Sequence, residues 1–159
     1  MDNIILEKLV WTEEDFEKMG WHDCKVYAMA FPDDEKFELA FDIDYIVKWV
    51  NLKEDNTYIK FWVAPATLVF KNVYEININL YTVDFQIQDI NRENPIKPKN
   101  KDHIKDILEY DWRIETTNGE ITFKSVGYTQ FIRQKPKLLD KQLLDFNERG
   151  GITFDRMVN

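Results

Sequence analysis

The pair Asn118-Gly119 lies between two segments rich in β-branched and aromatic residues, 111–117 and 120–132. Asn-Gly is the pair that a two-residue type I′ hairpin turn prefers, because both of its central residues adopt positive φ. Counting outward from this turn predicts three cross-strand pairs: Thr116–Ile121, Ile114–Phe123 and Trp112–Ser125. One face of the hairpin is then apolar, which predicts an antiparallel sheet with one buried side.

A second alternating pattern predicts another hairpin near the N-terminus. Phe37, Leu39, Phe41 and Ile43 alternate with Glu38, Ala40, Asp42 and Asp44. This period of two favours a strand with one buried and one solvent-facing side, so we expect the three acids on the wet side. The segment 25–31 is apolar on both faces, which suits a central strand, and the turn at 32–36 joins the two strands.

Further strands are predicted at 58–63, 67–73 and 75–80. Pro65 is expected to interrupt the first two, because proline donates no hydrogen bond to a sheet. The apolar residues change from even to odd positions at Tyr81-Thr82, which predicts a bulge or break there. The segment 91–100 contains two prolines and reads as a surface loop.

Helices are predicted mainly near the two ends. Thr12 precedes three acids and Gly20 follows, which predicts a helix of about two turns. Apolar residues at helical spacing predict a second helix over 138–146, ended by Gly150-Gly151 and followed by an edge strand over 152–157. The segment 103–108 is long enough for one helical turn.

These patterns together predict one β-dominated α+β domain spanning 1–159. We expect seven to nine mostly antiparallel strands in a bent sheet or two-layer sandwich, with short helices near the N- and C-termini. No stretch approaches the roughly 18 apolar residues of a membrane span, and the single Cys24 fits a reducing compartment. We therefore expect a cytoplasmic protein; the sequence leaves its oligomeric state open.

The charge distribution argues against nucleic acid as a partner. The net charge is −8, and phosphate binding needs clustered lysine and arginine. Residues 1–44 carry 13 acids and 4 bases, a net charge of −9, whereas residues 92–105 carry a net charge of +3. Aromatic residues left exposed beside Glu38, Asp42 and Asp44 would form an aromatic and acidic patch suited to a basic protein partner. Solvated surface charge is the alternative explanation.

The chain offers few groups arranged for chemistry. The run Trp21-His22-Asp23-Cys24 places a general base beside a carboxylate and a thiol, so His22 and Asp23 are candidate catalytic residues. Local hydrogen bonds that hold the turn are the alternative. Asp42 and Asp44 could bind a hard cation, yet strand alternation explains both acids, and we predict no metal or cofactor. Arg149-Gly150-Gly151 could present a guanidinium to an anion.

The segment Gly20-Trp21-His22-Asp23, followed by residues 41–46, resembles small bacterial proteins of an immunity-protein type. The resemblance implies a short helix, a His-Asp pair before the first strand, an antiparallel sheet, and binding of a cognate toxin. The leading hypothesis is thus a non-enzymatic protein that neutralises a basic toxin. The alternatives are a small-molecule hydrolase or ligand-binding domain with His22 and Asp23 at its site, and a structural subunit of a larger assembly.

Overall fold

The computed structural model describes residues 3–54, 58–98 and 107–158, and β-strands dominate this part of the chain. One 3-10 helix, Glu13–Lys18, follows the first strand. The strands are β1 Val10–Thr12, β2 Cys24–Ala30, β3 Leu39–Asn51, β4 Ile59–Lys71, β5 Tyr74–Leu80, β6 Phe85–Ile96, β7 Glu109–Thr116, β8 Gly119–Ser125, β9 Gly127–Ile132 and β10 Lys137–Leu139.

All ten strands belong to one antiparallel sheet. Its order is β1-β9-β4-β3-β2-β6-β7-β8-β5, and β10 pairs with the part of β4 that extends beyond β9. The predicted β-dominated antiparallel architecture is confirmed. The predicted pair of terminal helices is only partly matched, because the described residues include the N-terminal 3-10 helix and no helix near the C-terminus.

A bent two-stranded ribbon runs through the sheet. β4 pairs with β9. Beyond a short bend, β5, which follows β4 in the chain, pairs with β8, which precedes β9. Gly127 lies at the bend with φ of +145°, and a Cβ atom there would meet the Glu13 side chain at 2.8 Å. Only glycine suits such a position, because a positive φ strains any residue that carries a Cβ atom.

The N-terminal helix forms where its cap predicts it. The Thr12 hydroxyl accepts a hydrogen bond from the Glu14 amide, and the Asp15 carboxylate accepts one from the Thr12 amide at 3.0 Å. This reciprocal arrangement satisfies two amides that have no partner inside the helix. Lys8 Nζ donates to Asp15 at 2.7 Å, and this bond is the main cause of the lowered pKa of that carboxyl.

The hairpin of β7 and β8 is present, but its register differs by two residues from the prediction. Thr117 and Asn118 form the turn, and Gly119 is the first strand residue, with φ of +124°. The observed pairs are Thr116–Gly119, Ile114–Ile121 and Trp112–Phe123. A shift of two preserves the side-chain parity, which explains why the predicted apolar face is still the buried one.

Pro65 lies inside β4 and does not interrupt it, which corrects the predicted break at 64–66. Its carbonyl accepts a hydrogen bond from the Arg133 amide at 2.9 Å. The nitrogen and carbonyl of a strand residue point to the same side, so the missing donor of Pro65 faces the junction between β9 and β10. The ladder with β3 continues past this position, where Pro65 pairs with Asp44.

Three other predictions are corrected by tertiary pairing. The expected helix over 138–146 begins as β10 and continues as turns, because Leu138 and Leu139 pair with β4. Residues 152–157 form no strand. β6 continues to Ile96, into the predicted loop, through pairing with β7. Most of the predicted turn over 103–108 lies outside the described residues, whereas the predicted break at Tyr81-Thr82 is confirmed between β5 and β6.

An aromatic cluster forms the centre of the core. Phe70 contacts Trp112, Phe123 and Tyr128 in edge-to-face geometry, with ring centroids 4.7 to 5.7 Å apart. Edge-to-face pairs are favourable because the positive edge of one ring meets the negative face of another. These rings come from β4, β7, β8 and β9, so the cluster holds the two arms of the bent ribbon together.

Candidate functional site

The three acids predicted to contact a partner are buried. Asp42 and Asp44 are fully inaccessible, and Glu38 is 7% exposed. Their expected position on the wet face of a hairpin is therefore wrong. The C-terminal segment 140–157 covers this side of β3, as shown by its hydrogen bonds to both aspartates. The alternation of residues with a period of two correctly placed the three acids on one side of the chain, but it could not show that a distant segment covers that side.

Two buried arginines neutralise the two aspartates. Arg149 Nη2 lies 2.6 Å from Asp42 Oδ1, and its Nε lies 3.0 Å from Asp44 Oδ1. Arg133 Nη2 lies 2.8 Å from Asp42 Oδ1. The four side chains carry no net charge, and every carboxylate oxygen accepts at least one hydrogen bond. Buried charges are tolerated only when they are paired in this way.

Backbone and hydroxyl groups complete this buried ion cluster, which we define as Asp42, Asp44, Arg133 and Arg149. The amide of Leu144 donates to Asp44 at 2.8 Å, and the amide of Thr153 donates to Asp42 at 3.1 Å. The cluster thereby holds the C-terminal segment on the sheet. The sequence suggested that Arg149 could bind an anion. In the structure its guanidinium instead binds the carboxylates of Asp42 and Asp44 in the same chain.

Tyr27 closes the cluster on one side. Its hydroxyl donates to Asp44 at 3.0 Å, and the Arg149 guanidinium lies 3.6 Å from its ring centroid. Burial, together with the negative charge of Asp44, raises the pKa of Tyr27. Burial disfavours the charged form of Arg149, but its hydrogen bonds and attraction to both aspartates outweigh that effect and raise its pKa. The cluster is charged and internally satisfied, which suits a structural role.

Glu38 is held by the same C-terminal segment. Its carboxylate forms an ion pair with Arg156, which approaches from the end of the described chain. Each of the three predicted partner-binding acids therefore binds a basic side chain or a backbone amide from the C-terminal part of the chain. No partner can reach Asp42 or Asp44 without displacing that segment.

His22 and Asp23 lie together at the surface between the helix and β2. His22 Nε2 is 3.6 Å from Asp23 Oδ1, and His22 Nδ1 donates to the Gln88 carbonyl at 3.1 Å. The other oxygen of Asp23 accepts from Gln142 at 2.8 Å. Asp23 has φ of +64° and occupies the turn that leads into β2. Gln88 and Gln142 are distant in sequence, so these bonds tie the turn to β6 and to the C-terminal segment and are not the local bonds of the alternative.

Cys24 does not complete a catalytic group with His22. Its side chain is fully buried, whereas His22 is exposed. Burial raises the pKa of the Cys24 thiol to about 12, so the reactive thiolate is absent at neutral pH. Its sulfur accepts a hydrogen bond from the Ile46 amide at 3.5 Å. This thiol behaves as a small core residue.

A charged surface lies on the outer face of β5, β8, β7 and β6. Directly opposed residues of an antiparallel sheet share a face, and the strand register therefore defines three rows across it. The rows are Asn79–Glu120–Glu115–Asp89, Asn77–Thr122–Arg113–Asn91 and Lys124–Asp111–Glu93. We call these residues, with the adjacent Glu75, the acidic sheet face. It carries six acids and two bases.

Like charges oppose one another directly in the first row. Glu115 pairs with Glu120 on β8 and with Asp89 on β6. Arg113 Nε, in the next row, lies 3.4 Å from Glu120 and offsets only part of this repulsion. Like charges directly opposite in a sheet are destabilising. The row therefore costs stability in the isolated protein.

At the other end of the acidic sheet face, opposite charges are paired. Asp111 accepts hydrogen bonds from Asn94 and from Lys124, each at 2.9 Å, and these bonds hold its pKa below the ordinary value. The hydrogen bond between Lys124 and Asp111 also raises the pKa of Lys124. Residues of the face line a polar groove of about 590 Å³. Besides amides and a hydroxyl, the groove is lined by four acids and by the two bases Arg113 and Lys124, and this excess of acids suits a basic ligand.

Sequence reasoning missed this face for one reason. The alternation of Asp111, Arg113 and Glu115 was visible, but the rows depend on which strands become neighbours.

Among the described residues, no helix is long and apolar enough to cross a membrane. In the same part of the chain, no group of three or more histidine, cysteine or acidic side chains is arranged to hold a metal ion.

Comparison with known proteins adds no family to this description. No protein-family model, no curated protein and no solved structure matches the chain.

Proposed function

We propose that the protein is a non-enzymatic binding protein that takes a basic protein partner on its acidic sheet face, in the manner of an immunity protein that neutralises a toxin. The observation that carries the proposal is the row Asp89–Glu115–Glu120, in which like charges are placed opposite one another. A lysine or arginine of a partner between these carboxylates would relieve their repulsion. Binding would thus recover stability that the free protein lacks.

The position of the face supports this role. The opposite sides of β7 and β8 carry the buried residues Trp112, Ile114, Ile121 and Phe123, so the carboxylates of these two strands project from a packed part of the sheet. A rigid surface loses little conformational entropy when it binds. Acids on such a surface also accelerate encounter with a basic partner, an effect that salt weakens. The partner surface proposed from the sequence moves accordingly from Glu38, Asp42 and Asp44 to the outer face of β5 to β8.

The test is capture of partners from lysate of the native cells by three versions of the protein. They are the wild type, the double variant Glu115→Lys/Glu120→Lys, and the charge-matched control Glu7→Lys/Glu17→Lys, at two exposed positions near the N-terminus. We expect one stoichiometric basic protein that the wild type and control retain and the face variant loses. Retention should weaken with salt. Equal retention by all three would refute the proposal.

A further inference from the structure

We infer that the chain has a second interaction site, the open edge of β2 at Tyr27–Ala30, which accepts an extended, lysine-bearing segment of a partner as an additional strand. The inference goes beyond the proposed function and does not depend on the acidic sheet face. The observations behind it are an interrupted ladder, an apolar groove beside it, and an acidic run, Asp33-Asp34-Glu35, just after β2.

The ladder between β2 and β6 ends early. β2 pairs with β3 from Lys25 to Ala30, with a register shift between Val26 and Ala28, but among the described residues it pairs with β6 over Cys24 to Val26 alone. β6 begins at Phe85, opposite Val26, and the preceding residues Tyr81–Asp84 are not in a strand. Beyond Val26, β2 therefore has one neighbouring strand among the described residues. A strand edge of this kind is a template for pairing with another chain.

An apolar groove of about 420 Å³ accompanies this edge. It is lined by Val26–Met29 on one side and by Leu80–Val83 with Phe85 on the other. Val83 is 96% exposed and Tyr81 is 77% exposed, although both are apolar residues on the rim. Phe31, just after β2, is also largely exposed. Natural sheet proteins usually protect an open edge with charge or proline, whereas this edge is flanked by apolar side chains.

The shape and chemistry of the site select an extended segment. Backbone pairing along β2 would satisfy alternate amides and carbonyls of the incoming strand, and its apolar side chains would fill the groove. A helix cannot supply those hydrogen bonds, because its backbone groups are already paired. The site therefore fits a strand with alternating apolar and polar residues.

Charges at the ends of the groove select the polar residues of that strand. At one end Asp84 is neutralised by its ion pair with Lys25, whereas the other end leads into the acidic run Asp33-Asp34-Glu35. Lysines on the incoming strand would meet these acids. A second copy of this chain suits the site less well, because each chain carries a net charge of −8 and two copies repel each other.

The experiment uses a fluorescent, end-capped peptide of three Val-Lys repeats and the full-length protein. We expect saturable binding by fluorescence anisotropy and slower hydrogen exchange of the amides of residues 27–30. The same peptide with alternate backbone nitrogens methylated should bind at least tenfold more weakly. The protein variant Val83→Asp should also bind at least tenfold more weakly, whereas Ile5→Asp, an equally exposed position outside the groove, should bind like the wild type.

Other outcomes would overturn the inference. Equal binding of the methylated peptide would show electrostatic adsorption without strand pairing. Loss of binding in Glu115→Lys/Glu120→Lys but not in Val83→Asp would assign the peptide to the acidic sheet face. Self-association of the protein that Val83→Asp abolishes would make a second copy the occupant. The proposed function is judged separately, because the capture experiment uses face variants that leave β2 unchanged.

Discussion

Arg149 and Asp42 form a fully buried two-pronged ion pair, with Nη2–Oδ1 and Nη1–Oδ2 distances of 2.6 and 2.9 Å. The two residues are separated by 107 positions in the sequence. Through this pair and the adjacent Asp44, the C-terminal segment is fastened to the middle of β3. The pair therefore couples the last turns of the chain to the stability of the sheet.

Replacing Arg149 with methionine should be strongly destabilising. The substitution leaves two buried carboxylates facing one remaining guanidinium, and breaking a buried ion pair costs about 3–5 kcal/mol. Urea unfolding should show this loss in the free energy of unfolding. The matched control Arg113→Met removes an exposed ion pair and should cost less than about 1 kcal/mol. Equal effects of the two substitutions would contradict the assigned role of the cluster.

Replacing Glu115 with lysine should stabilise the free protein. Its two like-charge cross-strand pairs, with Asp89 and Glu120, become pairs of opposite charge, and each such pair contributes roughly 0.2–1 kcal/mol. The gain should shrink in high salt. Glu35→Lys, in an exposed turn, serves as the control and should change stability by less than about 0.5 kcal/mol. A destabilised Glu115→Lys protein would show that the row is not under electrostatic strain.

Stability should fall in acid, in part through Asp111. Hydrogen bonds from Asn94 and Lys124 lower its folded pKa below its unfolded value of about 3.9. Its contribution is therefore complete above the unfolded pKa and is lost as the pH falls through the folded pKa. Urea unfolding at a series of pH values from 6 to 2 should show a shallower decline for Asp111→Asn. An unchanged slope would contradict this assignment.

The Cys24 thiol should be unreactive in the folded protein. Its side chain is inaccessible and its pKa is raised to about 12, so the thiolate is scarce near pH 8. A chromogenic disulfide reagent should modify it slowly in buffer and rapidly in denaturing urea. Rapid modification of the native protein, at a rate typical of a free thiol, would instead restore Cys24 as a candidate nucleophile.

Local patterns in the sequence determined several elements of the fold. The capping residues of the N-terminal helix, the hairpin near Gly119, the break after Leu80 and the bend at Gly127 all depend on the conformations of a few adjacent residues. Alternation also identified the buried side of the hairpin strands. A register error of two residues left that side unchanged, because side chains of a strand repeat with a period of two.

Tertiary structure alone decided the sites. Asp42 and Asp44 match the pattern of exposed acids, and only the return of Arg149 over the sheet makes them a buried structural cluster. Pairing with β4 likewise places Leu138 and Leu139 in the strand β10, although their spacing in the sequence is typical of a helix. The acidic sheet face and the open edge of β2 likewise depend on which strands are neighbours. Which strands become neighbours is decided by contacts between segments that are distant in sequence. The energies of these contacts exceed local conformational preferences and cannot be inferred from short sequence patterns.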